Sequence, residues 1–274
     1  MDELSGRGVR HALRDGLVRA GAAVAVLAGI LALTLVFSQS PRWFLPQVLF
    51  LQYMAAMGLT PFGNAIFSPQ GLTWLVVWSF LAGGVLDRYA RNRPTRGRGF
   101  FAACGAHFPA LLRLGIAEWL IWLAVARLDL PRRSNVVATL VLFAAGVLFL
   151  YARVRLVVED RRSAAGALLA SGRFIRRNPG AIGLFLLFAA ALWSVTWAWA
   201  QLAPALSDPA PLSVIAAELL TALLLYLSFS SWAAATALFQ ARLAHASYTA
   251  APPLEWPESP AAEAISNLSP STTP

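Results

Sequence analysis

Few side chains in this sequence have the type and spacing to do chemistry, and most of them lie in apolar surroundings. Glu118 and Glu218 each fall inside a long apolar run. A carboxyl there is costly and is by default a proton or cation site. Each is also close enough to the end of its run to be held at an interface or by Trp and Ser neighbours, and that plainer reading is preferred. Glu118 lies about one turn from the inner end of its run and Glu218 a little further from the outer end of its own, so a shared site would require helix tilt or a water-filled cavity. Cys104 and His107, three residues apart, share a helix face. That is the spacing of a Cys–His nucleophile, but no third group orients the imidazole and no oxyanion site accompanies it, so packing is the preferred reading. With one cysteine there is no intrachain disulfide framework, and no CxxC or His-rich cluster offers a metal site. Walker A, HExxH and nucleophile-elbow patterns are absent, as is the acidic pair flanked by Gly and Arg that a phosphotransferase acting on activated lipid alcohols needs. The expectation is a non-enzymatic protein with no cofactor and no metal.

The remaining chemistry belongs to arginine. All 22 basic residues are Arg, and they gather beside apolar runs. Gly84 to Arg93 and Gly146 to Arg155 share Gly, Val, Leu, Tyr, Ala and two Arg at the same places, and each closes an apolar run. Both read as the cytoplasmic end of a membrane helix, with Tyr89 and Tyr151 at headgroup level and Arg91, Arg93, Arg153 and Arg155 reaching the anionic inner surface. Arg173, Arg176 and Arg177 form a third basic group, near the end of a short amphipathic segment. The expected partners are membrane lipids with anionic headgroups at the cytoplasmic face, with a protein partner or a second copy of the chain as a further contact. Nucleic acid is excluded, because no aromatic-basic recognition motif accompanies the net charge of +9.

These residues need elements to hold them, and composition decides which. The 274 residues are 58% hydrophobic and 13% charged, with a mean hydropathy of +0.62, which leaves too little charged surface for a soluble globule of this size. The fold class expected is all-α, a polytopic membrane protein of six spans. Residues 1–16 form a polar cytoplasmic segment, 17–247 the membrane domain and 248–274 a disordered cytoplasmic tail rich in Pro, Ser, Thr and Glu. The spans are placed at Leu17–Phe37, Leu72–Leu86, Leu114–Ala126, Val136–Val158, Ala181–Ala203 and Ser213–Ala241. Residues 43–57 are apolar but short, and fit a re-entrant or interfacial segment as well as a span.

Two interfacial elbow helices connect these spans on the inner side. The first is Phe100–Arg113. The second begins after Glu159-Asp160-Arg161-Arg162, where two acids and then Ser163 suit a helix N-terminus, and it is broken by Asn178-Pro179-Gly180. Span, elbow and span thus occur twice in tandem, as parallel repeats, with Cys104 laid on Ser171 and Gly105 on Gly172. Gly83-Gly84 and the small residues of Ser228–Ala235 permit close helix approach. With both termini inside, all 22 arginines except Arg42, Arg127, Arg132 and Arg133 fall on the cytoplasmic side, a strong positive-inside bias for a bacterial inner-membrane protein.

Val157 to Phe174 contains an acidic pair, a small residue, Ala, then Ser and a basic-aromatic segment. It resembles the pattern before the fifth helix in uncharacterised bacterial six-helix membrane proteins, which are similar to the membrane domain attached to some glycerophosphodiester phosphodiesterases. Ala167 and Ser171 are the best-matched positions. The resemblance implies the six-helix plan. The attached phosphodiesterase domain, with its acidic metal ligands and His pair, has no counterpart here, so its activity is not implied.

Overall fold

The computed structural model describes residues 2–23, 28–29, 69–92, 96–127, 135–202 and 210–250. Among the described residues there are seven α-helices and no strand: α1 (Asp2–Gly21), α2 (Pro69–Arg91), α3 (Gly97–Arg127), α4 (Asn135–Val158), α5 (Ala164–Arg177), α6 (Gly180–Leu202) and α7 (Ala210–Ala250). Four of them contain stretches long and apolar enough to cross a membrane: Gly97–Val125, Val137–Val158, Gly180–Trp199 and Glu218–Leu243. This is the build of a helical membrane protein, in which helices satisfy their own backbone groups where water cannot. Residues up to Gln240 make one compact unit; those from Ala241 on make a second, of which α7 is described to Ala250.

The centre of the first unit is α7. Of its apolar stretch, 78% is buried within the chain, against 22% for that of α3. Every residue from Ser228 to Phe239 is buried, and a helix enclosed on all sides must be apolar or satisfy its own polar groups. Three of its hydroxyls do the latter: Ser228 Oγ donates to the carbonyl of Leu224 (2.8 Å), Ser231 Oγ to that of Ser228 (2.7 Å) and Thr236 Oγ1 to that of Trp232 (2.8 Å). These hydroxyls therefore turn back on their own helix. Trp78 of α2 stacks on Phe229 (ring centroids 5.7 Å apart) and meets Trp232 edge-on (5.2 Å), so these tryptophans are core residues.

Small residues set the helix spacing. A Cβ on Gly16 of α1 would lie 2.5 Å from the Cβ of Ala234 and 2.7 Å from its backbone. Ala12, Gly16 and Ala20 recur every four residues on α1 and are all buried, which gives α1 a small-residue face. Gly83 meets the backbone of Ala103 and Cys104 at 3.2–3.3 Å, and Gly84 meets Cys104 Sγ and the Phe100 ring. The close approach expected of Gly83-Gly84 and of the small residues around Ala234 is what these contacts show. Further along, Gly115 meets Leu75 and Ser79; with Gly83 beside Cys104, this makes α2 and α3 antiparallel. Glu118–Arg153 and His107–Asp160 contacts do the same for α3 and α4.

Two expectations change. The separate elbow at Phe100–Arg113 is absent, because α3 runs unbroken for 31 residues, roughly 46 Å. Pro109 lies inside it; a proline removes one donor and crowds the preceding turn, but no Asn or Gly follows closely to end the helix. The second elbow is a separate helix, as expected. Ser163 Oγ accepts from the Gly166 amide (3.2 Å), and Asn178 closes the other end with its amide and its side chain both donating to Phe174 O (3.0 Å). This helix packs back onto α4, with Ala167 and Ser171 buried, Gly172 against Leu148 and Phe174 against Tyr151. At the N-terminus, α1 crosses the boundary drawn at residue 16 and ends at Gly21. Most of the expected first span, the segment 43–57, Arg93 and the tail beyond Ala250 lie outside the described residues.

These contacts predict opposite outcomes for two Gly→Ala changes. Gly16→Ala forces α1 off Ala234 and lowers stability by about 1–3 kcal/mol. Gly105→Ala, with nothing within 4 Å of the new methyl, raises it by up to about 1 kcal/mol through helix propensity. Unfolding midpoints in mild detergent check both.

Candidate functional site: the arginine-rich end of the bundle

Helices α2 and α4 end at the level of Phe239 and Gln240 of α7. Gln240 Nε2 donates to Ala90 O (2.7 Å), and Phe239 beside it packs on Phe174 (5.1 Å) and under the Arg155 guanidinium (5.5 Å). The Tyr-Ala-Arg ends of α2 and α4 and the end of α5 therefore meet around Phe239 and Gln240.

Most arginines at this level have protein partners. Arg19 donates to Tyr89 O and Gln240 Oε1 (3.1 Å each), and Arg88 to Ala22 O (2.8 Å). These bonds satisfy helix-end carbonyls that have no partner within their own helix. Arg91 holds Asp87 (2.8 Å), whose side chain is 9% exposed. Arg155 holds Glu159 with both oxygens (2.8 and 2.9 Å), and Arg161 binds the same carboxylate. Arg153 reaches across to Glu118 of α3. Arg153 and Arg155, expected as headgroup contacts, are thus engaged inside the chain. Arg173, Arg176 and Arg177 differ: all three are exposed and have no partner among the described residues. Leu169, one turn before Arg173, is 71% exposed, so this side of α5 presents an apolar residue followed by three cations.

Tyr89 and Tyr151 are not headgroup anchors, being 2% and 1% exposed. Each is buried toward the end of its helix, and Tyr151 packs on Phe174. The helices beyond them stop at left-handed residues, Asn92 and Asp160, both with φ 48°, which Asn and Asp tolerate. After α4 the Arg161 amide donates back to Leu156 O (3.0 Å), the six-to-one bond of a Schellman end.

The other expected sites separate. Cys104 lies against Gly84, whereas His107 Nδ1 is 3.9 Å from Asp160, so thiol and imidazole engage different neighbours. Glu218 lies 22 residues before Gln240 on α7, roughly 33 Å, and is not brought to Glu118. Among the described residues no group of three or more His, Cys, Asp or Glu is placed to hold a metal. Asp87 is the buried acid that site reading from sequence missed; its spacing of four from Arg91 was the available signal. Glu118 was singled out, but its partner comes from another helix and has no local signal. Comparison with protein-family models, curated proteins and solved structures finds no match.

Beyond the end of α4, burial disfavours the Glu159 carboxylate, but hydrogen bonds from Arg155 and Arg161 outweigh it and hold its pKa below the ordinary value of 4.5. The folded state therefore binds this proton less readily than the unfolded chain. Its contribution to stability is complete above 4.5 and is lost as pH falls through the lower folded value. Acid unfolding should accordingly be blunted in Glu159→Gln: between about pH 5 and about pH 3 its midpoint falls less than that of the wild type.

Proposed function

We propose that this chain is a non-enzymatic, multi-pass protein of the bacterial inner membrane that engages anionic lipid headgroups through α5, as a lipid-interacting component of a transport or envelope assembly. The observation that carries the reading is the contrast among arginines at one level: Arg19, Arg88, Arg91, Arg153 and Arg155 have protein partners, whereas Arg173, Arg176 and Arg177 are exposed and have none among the described residues. Guanidinium groups beside an exposed Leu169 suit a phosphate layer with acyl chains below it. Ala167 and Ser171, the best-matched positions of the resemblance to the phosphodiesterase-associated membrane domain, are the two buried residues of α5, which fits a role in fixing that helix.

The architecture belonging to this reading is six spans with both termini inside, built on a tandem parallel repeat. Equivalent residues support it. Val85 and Val147, Tyr89 and Tyr151, and Cys104 and Ser171 are buried in pairs. Continuous α3 then corresponds to α5 and α6 together, with Asn178-Pro179-Gly180 interrupting the second copy.

Replacing Arg173, Arg176 and Arg177 with Gln should reduce co-purifying phosphatidylglycerol, read by native mass spectrometry of protein released from mixed-lipid nanodiscs. Unchanged lipid retention overturns the role of α5. For topology, single cysteines at Arg162→Cys and Leu130→Cys in a Cys104→Ser background are labelled by an impermeant maleimide only after lysis and in intact spheroplasts, respectively. The reverse pattern overturns the orientation.

A further inference from the structure

One charged contact lies within the spans. Glu118 of α3 accepts from Arg153 of α4, and both side chains are 17% exposed. Arg153 is five residues before the end of α4, about 8 Å along the helix, which is deeper than the Arg155, Glu159 and Arg161 cluster at that end. An ion pair so placed gains little stability over apolar residues of the same volume. An ionisable residue inside a span is therefore a functional position by default.

Charge balance at this position depends on one partner. The charged groups of the surrounding elements are engaged elsewhere or face outward. Asp87 is held by Arg91 at the end of α2, the level of Cys104, which is fourteen residues from Glu118 along α3. His107 is eleven residues away and faces Asp160, while Arg155 turns to Glu159. On α5, Arg173, Arg176 and Arg177 are exposed. If Glu118 takes up a proton, Arg153 keeps its charge, because guanidinium does not deprotonate in proteins, and it then needs another anion. The planar fork of a guanidinium fits a phosphate as it fits a carboxylate, and its stem lets the head reach toward the interface.

We propose that Arg153 is a proton-controlled phosphate site, at which a phosphate group, of a lipid headgroup or free in solution, replaces Glu118 when Glu118 is protonated. One proton is taken up for each monoanion bound, so the net charge of the site does not change. The proposal rests on α3 and α4 lying in a membrane and does not require the lipid contact of α5.

The test uses the full chain in a phosphate-free maltoside, with Arg173, Arg176 and Arg177 replaced by Gln in every protein compared, so that lipid held by α5 has no bearing. Short-chain phosphatidylglycerol, a monoanion throughout, is added from pH 5 to pH 8, or inorganic phosphate at pH 5, where it too is a monoanion, and binding is read by calorimetry alongside proton uptake in weak buffer. The parent of this series is expected to bind more tightly as pH falls, with about one proton taken up per anion. Glu118→Gln binds at least about tenfold more tightly at pH 8, without pH dependence or proton uptake, and Arg153→Gln does not bind. Saturation by the lipid alone identifies a headgroup as ligand; saturation by inorganic phosphate as well identifies the free anion. No binding to the parent at pH 5, binding without proton uptake, or binding that survives Arg153→Gln overturns the proposal. Should Glu118→Gln fail to fold, proton uptake by the parent decides, with the neutral pair Glu118→Gln/Arg153→Gln as the folded non-binding control.

Discussion

The ends of α2 and α4 must be closed against Phe239 and Gln240 of α7, and the rest of the described unit is arranged around that closure. A helix leaves four carbonyls without partners at its C-terminus. At α2 two of them are taken by neighbours, Tyr89 O by Arg19 of α1 and Ala90 O by Gln240 of α7. Arg19 also bonds Gln240, so three helices share one junction. Such a junction fixes the axial register of α1, α2 and α7, because a slip of one residue would leave a buried carbonyl unpaired. The remaining ends use the chain's own turns, through Asp160 and the Arg161-to-Leu156 bond.

Holding the ends in register allows the helices to approach closely, and small residues make that approach possible. Gly16 against Ala234 and Gly83 against Ala103 bring backbones within side-chain distance. Van der Waals packing drives association inside a bilayer, where burying apolar surface against lipid-like side chains yields little. The buried length of α7 from Ser228 to Phe239 is rich in Ala and Ser for this reason, and the hydroxyls of Ser228, Ser231 and Thr236 avoid unpaired burial by bonding to carbonyls of their own helix. Bulky residues fill the gaps that the small ones leave, as Trp78 does between Phe229 and Trp232.

What could be read from the sequence was what depends on near neighbours. Apolar length marked the helices, Ser163 marked the start of α5, and Asn178-Pro179-Gly180 marked its end, because caps and breaks act within one turn. Gly83-Gly84 announced a close approach, since glycine pairs in an apolar run have few other uses. The continuity of α3 was hidden: a mixed segment such as Phe100–Arg113 has the composition of an interfacial helix whether or not it is joined to the next one. Tyr89 and Tyr151 were misread for a similar reason. A tyrosine one turn from a helix end has the same sequence context whether it faces headgroups or the bundle, and only the neighbours supplied by other helices decide. The pairing of Glu118 with Arg153 belongs to the same class, since it joins residues 35 apart.

The arginines show how one residue type is divided between two tasks. Arg91 and Arg153 each face a carboxylate and Arg155 shares Glu159 with Arg161, so they contribute to the fold and only weakly to the field outside it, whereas Arg19 and Arg88 bond neutral carbonyls and keep their charge. A paired guanidinium beside a carboxylate presents little net charge at a Debye length of about 8 Å. The positive field of the described bundle is consequently weaker than the count of arginines suggests, and Arg173, Arg176 and Arg177 place three exposed cations on one short helix. That helix, which also bears an exposed leucine, is stabilised further by any anionic surface that meets it, and that surface would in turn bias its position against α4.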